Sequence, residues 1–78
     1  MIRIVVTQGH IACGIRSSTA SCPVATAASQ ALGRKVLVDG VNMEIDGALY
    51  VLPGNVLEFI YKYDSGNDVE PITFEVDL

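Results

Sequence analysis

The stretch from Gly14 to Ala28, GIRSSTASCPVATAA, concentrates the chemistry this chain can offer. Arg16, the hydroxyls of Ser17, Ser18, Thr19 and Ser21, and the thiol of Cys22 stand just before Pro23, a residue suited to the first position of a helix. Helix N-termini present unpaired N–H groups and a partial positive charge, and a hydroxyl-rich loop adds donors. Together with His10, the residues Arg16, Ser17, Ser18, Ser21 and Cys22 make a candidate site for a phosphate or carboxylate. On that reading the chain is a small anion- or nucleotide-binding domain. The competing reading is structural. Ser21 or Cys22 caps the helix and the other hydroxyls face water, since the segment has no glycine-rich phosphate loop.

A thiol at a helix start has a lowered pKa and can act as a nucleophile. A catalytic thiol also needs a positioned base, and His10 is the only histidine. The Cys-x-x-Cys spacing of redox pairs is missing, so a small buried cysteine is the expected role for Cys22. In an intracellular chain Cys13 and Cys22 are expected as free thiols. With His10 they supply three metal ligands where structural zinc sites use four. Asp39 and Asp46 fall in turns, and Glu75 and Asp77 on an exposed strand face. The expectation is a non-enzymatic protein with no catalytic residues, metal or cofactor.

Charge is unevenly placed. Up to Val38 the chain has Arg3, Arg16, Arg34 and Lys35 and no acid, and from Asp39 onward nine acids face the single Lys62. The halves carry +4 and −8, and the net charge is −4. Five basic residues with no aromatic platform beside them do not supply the electrostatics of nucleic-acid binding. No apolar run approaches a membrane span, and Arg3 interrupts the apolar start before a signal peptide can form, so the expected location is the cytoplasm.

These residues need elements to hold them. At 78 residues, half of them hydrophobic, the chain is expected to form a single compact domain over 1–78. IRIVV alternates as a half-buried strand, and Thr7 caps a short turn over QGHIACG. A helix runs from Pro23 to a stop at Gly33, with Val24, Ala27, Ala28 and Ala31 as its small-residue stripe. Asp39-Gly40 and Asp46-Gly47 punctuate three antiparallel strands, 35–38, 41–45 and 48–52, as two-residue turns. A second helix opens at Pro53 with Val56, Phe59, Ile60 and Tyr63 inward, and PITFEVDL closes as a strand. The order β-α-β-β-β-α-β predicts an α+β two-layer sandwich: a mixed five-stranded sheet with both helices on one face. Its other face would carry Arg3, Val5, Leu37, Tyr50, Glu75 and Asp77, and a two-fold dimer through that face is expected, pairing Arg3 of one copy with Glu75 or Asp77 of the other.

The chain resembles a family of short bacteriophage- and prophage-encoded proteins of unknown function. The shared pieces are Val6, Thr7, Gln8, His10 and Ile11; Gly14 and Arg16; Ser21 to Ala25; Leu52 and Pro53; Asp64 and Gly66; and Glu70 to Leu78. The departure is Gly9, where such proteins carry a helix-favouring residue, which weakens the first turn. The resemblance implies a viral or mobile-element origin and an accessory role. The expected function is then a non-enzymatic interaction protein that engages a host protein in the bacterial cytoplasm. Asp64, Asp68, Glu70, Glu75 and Asp77 are the acidic face read as the contact.

Overall fold

Alternating apolar residues in IRIVV and ITFEV build β1 (Ile2–Val6) and β5 (Ile72–Val76), which pair antiparallel with Ile4 opposite Phe74 and Val6 opposite Ile72. The computed structural model describes residues 2–76. Within it follow α1 (Gln8–Cys13), α2 (Pro23–Leu32), β2 (Val36–Val38), β3 (Asn42–Ile45), β4 (Ala48–Val51) and α3 (Gly54–Asp64). The fold is α+β.

The expected single mixed five-stranded sheet does not form. The strands divide into two antiparallel sheets, β1-β5 and β2-β3-β4. One possible join is closed at the edge of β2 that faces away from β3. There the N–H of Val36 donates to Ser29 Oγ (3.1 Å) and that of Val38 to Thr19 O (2.8 Å). Ser29 of α2 and the loop before α2 thus occupy the positions a fourth strand would take.

The helices follow their local signals. Pro23 stands at the first turn of α2, Cys22 Sγ accepts from the N–H of Ala25 (3.4 Å), and Gly33 ends the helix at φ 65°. The buried stripe is Val24, Ala25, Ala27 and Ala28; Ala31, expected on it, is exposed. All four expected residues of α3, Val56, Phe59, Ile60 and Tyr63, are buried. α1 forms despite Gly9 because Thr7 and His10 make a reciprocal cap at its start. α2 packs on β1 and β2 and α3 on β5, and both sheets turn their apolar faces into one core with Ile4, Met43, Ile45 and Phe74.

Two turns differ although both read Asp-Gly. Asp46 (φ 51°) and Gly47 (φ 84°) make the two-residue hairpin that the sequence predicts. Asp39 and Gly40 do not. Neither takes a positive φ, and Asp39 Oδ1 accepts from the N–H groups of Val41 (2.7 Å) and Asn42 (2.6 Å), a wider turn built on the side chain. Tyr50 also departs from expectation. It lies opposite the buried Met43 and packs against the core, not on the outer face.

Candidate functional site

The loop between α1 and α2 is held by its own polar groups. Ser21 N–H donates to Ser18 Oγ (3.1 Å), and Ser21 O accepts from Ile15 N–H (2.9 Å). Ser17 takes a left-handed conformation (φ 57°), which aims its N–H at Asp64 Oδ1 (2.9 Å) on the end of α3. The folded loop borders an open pocket of about 270 Å³. Ser17, Ser18, Thr19 and Cys22 form one wall, and Asp39 and Asp64 bring carboxylates from the β2–β3 turn and α3.

Of the six residues expected to bind an anion, Ser17, Ser18 and Cys22 come together in this pocket. Ser21 lies beside it as a loop brace. His10 is elsewhere. Its Nδ1 accepts from the N–H of Thr7 (2.9 Å), which leaves the proton on Nε2, and Nε2–H donates to Gln30 Oε1 (2.7 Å). The ring therefore closes the cap of α1 and ties α1 to α2. Arg16 turns away as well. Its Nε donates to Tyr63 O (3.1 Å) and its guanidinium lies 5.6 Å from the centre of the Tyr63 ring. With two carboxylates present and the arginine turned aside, the pocket suits a cationic or hydrogen-bonding group better than a phosphate.

Both cysteines are free. Burial, together with the charge of Asp64, pushes the Cys22 thiol above its ordinary value, opposite to the lowering expected at a helix start. The consequence is selective labelling. Iodoacetamide at mildly alkaline pH is expected to modify the exposed Cys13 and spare Cys22 until denaturant is added. Peptide mass mapping reads the result, and modification of both thiols at equal rates in the native state would contradict it.

Asp39 behaves in the opposite sense. The N–H groups of Asn42 and then Val41 hold its carboxyl below the ordinary aspartate value. The ionised form therefore favours folding. That contribution is fully present above the ordinary value and is lost as pH falls from about 4 through the lowered one. Urea midpoints measured from neutral to acid pH should fall less steeply for Asp39→Asn than for the unaltered chain, and parallel curves would refute the assignment.

The acids expected on one face lie in different places. Asp64 serves the pocket, while Asp68 and Glu70 line a groove of about 510 Å³ along α3 beside Glu58 and Lys62, which pair at 2.9 Å. Glu75 stands on the outer face of β5, opposite Arg3 of β1. Asp77 lies outside the described residues. Among the described residues no three His, Cys, Asp or Glu side chains group as metal ligands, and no helix is long and apolar enough to cross a membrane.

What sequence reading missed is the free edge of β4. Leu49 and Val51 stand on its outer side, 64% and 81% exposed. The available signal was ALYVL, an apolar run without polar alternation. Between β4 and β5 lies a groove of about 380 Å³ that includes Leu49, Val51, Phe74 and Glu75. Comparison with protein-family models, with curated proteins and with solved structures found no match.

Proposed function

We propose that this protein is a non-enzymatic interaction module of phage or mobile-element origin, which engages a host protein in the bacterial cytoplasm through the β4 side of its sheet. The observation that carries the reading is the undefended edge of β4. Edge strands usually carry lysine, proline or a bulge that prevents further pairing, and Ala48–Val51 has none of these. Leu49 and Val51 instead leave apolar surface in water, which a bound partner would cover. Self-association through the outer face draws less support. Val5 is exposed there, but Tyr50 turns inward, and the net charge of −4 sets copies against each other.

The test is capture from bacterial lysate at low salt, with the unaltered chain and a Leu49→Lys/Val51→Lys variant side by side. A protein retained by the first and lost from the second is the expected result. Equal retention by both, or by neither, would sink the reading.

A further inference from the structure

The main-chain hydrogen bonds of β4 show what its edge can accept. The N–H of Leu52 donates to Val41 O (3.3 Å), and the register then pairs Met43 with Tyr50 and Ile45 with Ala48. Hydrogen-bonded pairs alternate along an antiparallel ladder, so Met43–Tyr50 and Ile45–Ala48 are in step with Val41–Leu52. The N–H and C=O groups of Leu49 and Val51 therefore point away from β3. On β5, Thr73 O accepts from Asn55 Nδ2 of α3 (3.4 Å) and so points away from β1. Glu75, two residues on, directs its main-chain groups to the same side. Leu49 and Val51 of the first row and Glu75 of the second border the groove, and no β1 or β2 residue lines it.

Resting on the interaction reading above, we propose that this groove receives an extended segment of the partner as an added strand between β4 and β5, with apolar residues inward and basic residues outward. An occupant that pairs with both rows must itself present main-chain groups on two edges, which a strand does and a helix does not. Met43, Phe74 and Val76 form an apolar floor for alternate side chains. On the outer face the flanking charges are Glu75 of β5, which has Arg3 of β1 opposite it, and Glu44, which lies opposite Leu49. A second copy fits poorly, because its own free edge, Ala48–Val51, carries no base to set against these acids.

The test uses a short peptide alternating valine and lysine, with its valine–glutamate counterpart as control. Amide hydrogen exchange by NMR is followed at Leu49, Val51 and Glu75. The lysine peptide is expected to slow all three amides and to bind roughly tenfold more tightly than the glutamate peptide. Val51→Pro removes an outward N–H while the bonds of Tyr50 and Leu52 to β3 remain, and should weaken binding by roughly tenfold. Should that variant fail to fold, Glu75→Lys is expected to weaken the lysine peptide instead. Unchanged exchange at the three amides, or slowing that depends on protein concentration without peptide, would overturn strand addition. Leu49- and Val51-dependent capture from lysate would then still support the interaction reading, so the two fail separately.

Discussion

Gly14→Ala is expected to destabilise the fold by about 1–3 kcal/mol, although alanine suits the local backbone. Gly14 has φ −71° and ψ 159°, extended values that any residue adopts. Its need for glycine comes from neighbours. A Cβ there would stand 2.6 Å from Pro23 Cγ, 2.7 Å from Pro23 Cδ and 2.9 Å from the Tyr63 hydroxyl. The proline ring is fixed at the start of α2, and the hydroxyl donates to Ile11 O (3.1 Å), so neither moves without loss. In a domain this small, each kcal/mol lowers Tm by roughly 4–8 °C. Gly40→Ala is the control, because a Cβ there meets nothing within 4 Å and φ is not positive. Melting curves in which the two variants lose equal stability would show that the close approach at Gly14 is wrong.

Phe59→Ala is expected to cost more, about 3–5 kcal/mol. For 78 residues the whole stability is about 4–12 kcal/mol, so this single change consumes a large share. Phe59 is buried, and its ring stacks on Tyr63 at 6.2 Å with planes 3° apart. Tyr63 in turn anchors Ile11 through its hydroxyl and Arg16 through its carbonyl and ring. Losing Phe59 therefore leaves a void and frees the residue that holds the loop before α2. Urea unfolding measures the loss, with Phe59→Leu as the milder comparison. An unchanged midpoint for Phe59→Ala would exclude that residue from the core.

The sequence made legible those features that are settled by neighbours along the chain. Pro23 with Cys22 before it and Gly33 after the helix is a local pattern, as is the stripe of α3. The division into two sheets was not legible. It depends on Ser29 Oγ and Thr19 O reaching the edge of β2 and on the groove that parts β4 from β5, which no alternation of apolar residues reports. The side Tyr50 takes is not legible in ALYVL, which carries no polar alternation, and only pairing with β3 decides it. In the site, the hydroxyl loop was visible and its partners were not. Asp64, which fixes Ser17, and Tyr63, which holds Arg16, are both far along the chain. His10 had a readable signal in its spacing from Thr7, that of a capping box with histidine in the place of glutamate or glutamine.

The pairing of Ile2 with Val76 has a consequence for synthesis. Among the described elements β1 is made before all the others and its partner β5 after them, so the nascent apolar strand has no β5 to pair with while the three helices and β2, β3 and β4 are being synthesised. Pairing between strands so distant in sequence slows folding, because a long loop must close before the ladder yields any stabilisation. A circular permutant that joins β5 to β1 by a short linker, opened in the loop after α3, makes that pairing local. It should fold faster than the natural order while keeping the same core.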